Sequence, residues 1–284
     1  MDFIIINGEI AKRSSARIDI EDRGYQFGDG VYEVVRVYNG KMYTADEHLQ
    51  RLHQSAEKIG MKIDLSAASL KEMMGELIEK NTLQTGIVYI QFTRGTAPRN
   101  HNFPASNVPL TFVAYTKELA RPAENMSRGV EAITEEDIRW LRCDIKSLNL
   151  LGNLLAKQKA AEAGCFEAIL HRGETVTEGS HTNVAIVKNG IIYTHPATNL
   201  ILNGITRQKA LELCSFNGMQ AEEEAFSLTD LAEADEVFMM GTTTEIMPIV
   251  KINGQPVADG LPGIVTLKLQ KLLGDAIIKK CGVI

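Results

Sequence analysis

Apolar and polar positions alternate along this chain with two periods, and each switch between them marks an element. Phe3 to Ile10 reads as two short strands around Asn7-Gly8, a dipeptide that favours a type I′ hairpin turn. Val31 to Tyr38 is rich in β-branched and aromatic residues, and Asn39-Gly40 turns it back through Lys41 to Tyr43. Gly86 to Arg94 and Val108 to Tyr115 read as further strands. Helical spacing appears between them. Leu49, Leu52, Ala56 and Ile59 share one face of a helix that opens on the capping box Thr44-Ala45-Asp46-Glu47 and stops at Gly60. Leu70, Met73, Met74, Leu77 and Ile78 line a second helix from Ser66 to Lys80.

The pattern lapses from Lys117 to Glu124, where Arg121-Pro122 sits among few apolar residues, and this is the expected linker. Beyond it, strands are predicted from Gly129 to Ile133, Phe166 to His171, Val184 to Val187 and Asp235 to Met240, with hairpin turns at Asn189-Gly190 and Asn253-Gly254. Helices are predicted from Leu150 to Ala163, from the Asn203-Gly204 pair to Phe216, and from Pro262 to Lys279 with Ile264, Leu267, Leu269, Leu272 and Ile277 inward. The expectation is an α+β (mixed α/β) chain of two domains, a smaller one over 1–118 and a larger one over 125–284, joined by 119–124.

Composition narrows the classes. The 284 residues suffice for two domains, and 44% hydrophobic residues supply their cores. The net charge of −6, with no basic block, argues against a nucleic-acid partner. Phe3 to Ile6 is broken by Asn7-Gly8, which makes it neither a signal peptide nor a membrane span. Cys143, Cys165, Cys214 and Cys281 are scattered, so a reduced, cytoplasmic protein with no metal site is expected. The glycines of Arg23-Gly24-Tyr25-Gln26-Phe27-Gly28-Asp29-Gly30 precede a strand rather than a helix, which rejects a Rossmann fingerprint and leaves a tight loop.

Several residues have two readings each. Lys146, in Asp144-Ile145-Lys146-Ser147-Leu148-Asn149, either snorkels at a strand end or serves as a Schiff-base amine, for which burial or a cation such as Arg139 or Arg142 would prepare it. Arg51 lies beside the apolar face of its helix and, taken alone, is a surface charge. Arg99 and His101 lie two apart in a proline-bracketed loop, either exposed or aimed together as a carboxylate clamp. Glu178, beside Gly179, is a turn glutamate or the partner of a cation. Gly204-Ile205-Thr206 is a helix capped by Thr206 or a phosphate cup, and Gly241-Thr242-Thr243-Thr244 follows a strand as a second cup. Together these make the set that a phosphorylated aldehyde cofactor requires: a lysine, an acid, an arginine and two phosphate cups.

The runs Asp144–Asn149, Thr177-Glu178-Gly179-Ser180-His181-Thr182-Asn183, Gly204–Arg207 and Arg23–Glu33 resemble the fold-type IV pyridoxal-phosphate enzymes over nearly the whole chain. Within them, Arg99-Asn100-His101 and Glu136–Lys146 are similar to the bacterial D-amino acid aminotransferases. The resemblance implies a pseudo-barrel second domain and pyridoxal 5′-phosphate as cofactor. It implies Lys146 as Schiff-base lysine, Glu178 at the pyridine nitrogen, Leu202 on the ring, and Arg51, Ile205, Thr206 and Thr242 on the phosphate. It also implies Tyr32, Arg99 and His101 as a carboxylate trap, with D-amino acids and 2-oxo acids as substrates, and a homodimer in which Arg99 and His101 come from the neighbour. Two positions depart from the pattern, Gly241 and His181, where the family has serine. The alternatives are a branched-chain L-amino acid aminotransferase or (R)-amine transaminase of the same fold, or a pyridoxal-phosphate-binding protein without turnover.

Overall fold

A computed structural model describes residues 1–284, which divide into two compact units. The first comprises Met1–Ala120 together with Ile145–Asn149 and Ile278–Ile284. Its strands are β1 (Phe3–Ile6), β2 (Glu9–Lys12), β3 (Gly30–Tyr38), β4 (Lys41–Tyr43), β5 (Gly86–Thr93) and β6 (Thr111–Glu118). They form one antiparallel sheet in the order β2-β1-β6-β5-β3-β4. The pleat of β3 sends Val31, Glu33, Val35 and Val37 to one face and Tyr32, Arg36 and Tyr38 to the other. Against the first face pack Leu49, Leu52 and Ala56 of α2 (Ala45–Lys58) and Leu70, Met74 and Leu77 of α3 (Ala67–Lys80), which form the core.

Two local expectations fail here for readable reasons. Thr44 adopts φ 54° and turns its hydroxyl back onto the Tyr43 carbonyl at 2.7 Å, so α2 starts without the capping box. The hairpin β3–β4 runs straight into the helix through this left-handed residue. Arg23 to Gly30 is not a loop throughout but contains a short helix, α1 (Arg23–Phe27). Asp22 caps it, accepting from the Gly24 amide at 2.8 Å, and Gly28 ends it at φ 66°.

The segment Ile145–Asn149 returns to the first unit by backbone pairing with β3, where the sequence suggested a single boundary at 119–124. Ser147 bridges Val31, the Tyr32 amide donates to the Lys146 carbonyl at 3.1 Å, and the Leu148 amide donates to the Gly30 carbonyl at 3.0 Å. The apolar Ile145 joins the core of this unit. Main-chain pairing of this kind leaves almost no mark on residue choice, which is why the return is invisible in the sequence.

The second unit comprises Arg121–Asp144 and Leu150–Ile277. In chain order it contains α4 (Ala123–Arg128), β7 (Val130–Glu136), α5 (Leu151–Glu162), β8 (Glu167–Arg172), β9 (Thr175–Gly179), β10 (Asn183–Lys188), β11 (Ile191–Thr194), α6 (Ile205–Phe216), β12 (Ala221–Glu222), α7 (Leu228–Ala232), β13 (Glu236–Gly241), β14 (Glu245–Ile252) and β15 (Gln255–Pro256). Its nine-stranded sheet runs β12-β11-β10-β13-β14-β7-β8-β9, with β15 on β14. β7 is parallel to both neighbours. Apolar residues from five strands, Ile169 on β8, Val176 on β9, Ile186 on β10, Met239 on β13 and Met247 on β14, meet in the core.

The last helix, α8 (Ile264–Cys281), buries Leu269 and Ile277 as expected but turns Ile264 and Leu267 outward. Ile264 is 83% and Leu267 42% exposed, whereas Thr266, Leu269, Leu273, Ile277 and Cys281 are buried. The Glu236 carboxylate sets this rotation, accepting from the Val265 and Thr266 amides at 2.9 and 2.7 Å and from the Thr266 hydroxyl at 2.7 Å. An acidic group on the free amides of a first turn is favourable on both hydrogen-bond and dipole grounds. Leu269→Ala should therefore cost about 2–5 kcal/mol, and Leu267→Ala no more than about 0.5 kcal/mol. Urea denaturation of the two variants checks this, and equal losses would contradict the rotation.

Candidate active site

The candidate residues fall into two groups, one on each unit. In the first, Lys146 lies with its Nζ 4.5 Å from the centre of the Tyr32 ring, and its amide donates to Ser55 Oγ at 3.2 Å. Tyr32 heads a row of stacked rings, with Tyr89 at 5.6 Å and Tyr115 at 4.9 Å beyond it. Burial, and then the neighbouring tyrosines, push the Tyr89 hydroxyl's pKa up. The cations suggested as neighbours of Lys146 have partners of their own. Arg142 pairs with Asp144 at 3.0 Å, and Arg139 is committed as described below.

Arg51 is not a surface charge. It is buried and makes a two-point contact with the fully buried Glu33, Nε donating to Oε1 at 2.6 Å and Nη2 to Oε2 at 2.9 Å. His48, one turn earlier on α2, places Nδ1 2.7 Å from Glu33 Oε2. Burial alone would raise the Glu33 pKa, but the Arg51 charge and then His48 outweigh it and hold this carboxyl well below the usual range. His48 moves down, chiefly through burial, with Arg51 and Lys146 adding to it and Glu33 opposing it. Neither Glu33 nor His48 stands out in the sequence.

Arg99 and His101 are both exposed and share Phe27: the guanidinium lies 4.6 Å and the imidazole 5.7 Å from that ring. Arg23 anchors their loop by donating to the Asn100 carbonyl at 2.7 Å. The short helix α1 thus presents the Arg99–His101 pair together.

In the second group Glu178 lies on β9, not in a turn, and is buried. Its Oε1 accepts from Arg139 Nη1 at 2.7 Å; its Oε2 accepts from Asn183 Nδ2 and from the Leu202 amide, each at 3.0 Å. Burial pushes the Glu178 pKa up to about 7, although Arg139 and the Leu202 amide pull against it. Arg139 compensates only partly because Asp137 also holds it, Oδ1 accepting from Nε at 2.8 Å and Oδ2 from Nη2 at 2.9 Å. Asp137 further accepts from Arg172 and Thr177, each at 3.1 Å. A buried acid so poised gains from a further cationic group. The pattern of the chain does not single out Asp137 and Asn183, and it offers Arg139 as a neighbour of Lys146 rather than as the partner of Glu178.

Asn183 also donates to the Leu202 carbonyl at 2.9 Å, which ties the acid to the start of α6. There Gly204, not Thr206, is the capping residue, and no side chain caps the helix. The first-turn amides of Ile205 and Thr206 are thereby left for an anion. Thr242 lies in the turn between β13 and β14, followed by Thr243 and the buried Thr244. His181 is half-exposed, with Nδ1 2.9 Å from Oε2 of the buried Glu167. Burial opposes but His181, Ser180 and the Ala168 amide bring the Glu167 carboxyl down to about 2.

An amine on an aromatic shelf, a buried acid and helix amides open to an anion are consistent in their chemistry, and the known proteins agree with it. Residues 30–252 match the family model for amino-transferase class IV. The chain belongs to the class IV aminotransferases. This aminotransferase is 50% identical to a D-alanine aminotransferase of Bacillus licheniformis over 277 residues, 98% of each chain. It is 52% identical to that of Listeria monocytogenes over 282 residues, covering 98% of this chain and 97% of the relative. Among solved structures, the Escherichia coli branched-chain amino acid aminotransferase superposes with a TM-score of 0.93 at 27% identity, over 100% of this chain and 96% of that one. A branched-chain amino acid aminotransferase of T.th., complexed with N-(5′-phosphopyridoxyl)-L-glutamate, gives 0.90 at 26% identity, over 98% and 94%. The fold-type IV, mixed α/β expectation holds.

The raised Glu178 pKa has a consequence for this aminotransferase without cofactor. The folded state binds a proton that the unfolded state has released between the ordinary carboxylate range and pH 7, so stability is fully present below that range and is lost as pH rises toward and through about 7. The loss attributable to this group is on the order of 3 kcal/mol. Glu178→Gln should flatten the fall in melting temperature of the apoenzyme between pH 5 and pH 8; an unchanged slope would remove Glu178 as its source.

Proposed function

We propose that this chain is a D-amino acid aminotransferase of the D-alanine type, which passes the amino group to a 2-oxo acid and uses pyridoxal 5′-phosphate. The observation that carries it is the 50–52% identity to D-alanine aminotransferases across nearly the full length of both chains. The residues fit the cofactor. Glu178, buried and poised near pH 7, suits a protonated ring nitrogen. The uncapped start of α6 and the buried, unpartnered hydroxyl of Thr244 suit a phosphate. Leu202 would pack on the ring, Arg51, Ile205, Thr206 and Thr242 would hold the phosphate, and Lys146 would be the Schiff-base lysine. When bound, the cofactor supplies an aldehyde for the amine and a ring that accepts electrons from the substrate α-carbon.

Within that frame each residue has its task. Lys146 Nζ, once displaced by the substrate amine, would take the proton from the substrate α-carbon and pass it to the cofactor's aldehyde carbon, and would carry a proton the opposite way in the second half-reaction. The Tyr32 ring beneath Nζ limits where that amine can go. Glu178 Oε1 and Oε2, already oriented by Arg139, Asn183 and the Leu202 amide, hold positive charge at the ring nitrogen. Arg99 and His101, with Tyr32, bind the substrate carboxylate and so decide which face of the α-carbon Lys146 meets.

The protein acts as a homodimer in this reading, with Arg99 and His101 working in the neighbour's site. Leu151, Leu154 and Leu155, exposed at i, i+3 and i+4 on α5, give a second copy an apolar face to cover. Its four cysteines are unpaired, which supports a cytoplasmic location.

Lys146→Ala should lower turnover at least about a thousandfold and abolish the visible absorption of the purified protein, read with D-alanine and with L-leucine, each against 2-oxoglutarate. Native turnover in the variant, or preference for L-leucine in the parent, would sink the reading. Arg99→Ala should raise KM for D-alanine roughly ten- to hundredfold, as expected for losing a charged hydrogen bond. Mixing the Lys146→Ala and Arg99→Ala chains should restore roughly a quarter of the native-KM activity, since statistical pairing leaves one intact site in half the dimers. No recovery after subunit exchange would place Arg99 in its own chain's site.

A further inference from the structure

The turn between β13 and β14 contains a hydroxyl with nothing to do. Thr244 is 3% exposed, and its Oγ1 is buried with no hydrogen-bond partner. Native proteins rarely leave a buried hydroxyl in this state, because it has lost water and gained nothing in return. Other buried threonines of the same unit have partners for their hydroxyls. Thr182 Oγ1 donates to Glu167 at 2.9 Å, Thr194 Oγ1 to the Val184 carbonyl at 2.9 Å, and Thr266 Oγ1 to Glu236 at 2.7 Å.

The position of this hydroxyl is informative. A Cβ built on Gly241 would lie 2.8 Å from Thr244 Oγ1 and 3.4 Å from Thr182 Cγ2. Real Cβ atoms do not approach a hydroxyl that closely, so the Thr244 hydroxyl stands where a side chain at 241 would begin. Gly241 is also where this chain lacks the serine of the D-amino acid aminotransferase pattern, directly before Thr242. The two residues read as one exchange: the side chain is gone from 241, and a hydroxyl from 244 takes its place.

We propose that Thr244 Oγ1 is a hydrogen-bond donor to the cofactor phosphate, supplying from position 244 the hydroxyl that position 241 lacks. The inference rests on the pyridoxal-phosphate reading above. A hydroxyl facing a phosphate oxygen makes a short, charge-assisted bond, and the orphaned donor is then satisfied. Thr242 beside it, and the free amides of Ile205 and Thr206, would complete the set of donors within this unit.

The test uses the full-length apoenzyme titrated separately with pyridoxal 5′-phosphate and with pyridoxal, which lacks the phosphate, each followed by its absorption change. Thr244→Val keeps the shape and removes the donor. It should raise the Kd for pyridoxal phosphate about tenfold or more and leave the Kd for pyridoxal unchanged. Thr244→Ser should stay within about threefold of the parent for both. Adding Gly241→Ser to Thr244→Ala, which clears the space that a side chain at 241 needs, should recover part of the phosphate-dependent affinity. Should the valine variant fail to fold, Thr244→Ala is compared with Thr244→Ser in the same way. Equal losses for the two ligands would mean general damage to the site, and an unchanged pyridoxal phosphate Kd would mean that water or packing accounts for the hydroxyl; either overturns the proposal. A parent protein that binds neither ligand would instead overturn the cofactor reading itself.

Discussion

The withdrawal of Glu178 from water is the constraint on which the second unit's site depends. A buried carboxylate must be matched by charge or donors, and every element around it answers that demand. Residues before Lys146 supply Arg139, β10 supplies Asn183, and the approach to α6 supplies the Leu202 amide. The match stays incomplete for a geometric reason: Arg139 gives the Asp137 side chain two side-chain hydrogen bonds and Glu178 one, so a single positive charge serves two acids. Asp137 takes the larger share, its pKa lowered by Arg139 despite burial, and Glu178 retains an unmet demand for positive charge.

Glu33 shows the same physics with the opposite outcome. It is as deeply buried, yet it faces the full fork of Arg51 and the His48 ring, and it is locked in its charged form. Arg51 in turn is held in one orientation by an acid that does not titrate near neutrality. Removing Glu33 would leave a buried cation, the costly way to break such a pair. The two glutamates are one letter in the sequence. What separates them is how many other acids their arginine must serve.

Much of the scaffold could be read from the chain because its signals are local. Asn7-Gly8, Asn39-Gly40, Asn189-Gly190 and Asn253-Gly254 all form turns with both residues at positive φ, as the hairpin chemistry requires. The helices α3 and α5 start and stop close to where their residue spacing puts them. The errors arose where a distant group decides. A capping box at Thr44 was overridden by the hairpin feeding it, and the inward stripe of α8 was turned by Glu236 from another element. The site residues were legible only as a set. Lys146, Glu178 and Arg51 each had an ordinary reading that was the better one when taken alone, and the resemblance of whole motifs raised them above it. Asp137, Arg139 and Glu33 lie inside matched runs and Thr244 inside the second hydroxyl cup, but the runs do not show what each does, since that is a matter of partners brought close by folding.

The composition of the first unit bears on how the protein is made. Its sheet and helices are written in the first 120 residues, but the five-residue segment carrying Lys146 and the tail from Ile278 belong to it as well. Asn39 reaches that tail, donating to the carbonyls of Cys281 and Val283 at 3.3 and 2.6 Å. These are among the most widely separated contacts in the chain, and contacts of that span close late. A ribosome emitting this protein therefore releases the sheet of the first unit before either piece that completes it. The edge of β3 waits for Ile145–Asn149 to emerge, and Asn39 waits for the last residues of all. The nascent chain thus builds the seat for Lys146 first and receives the lysine afterwards.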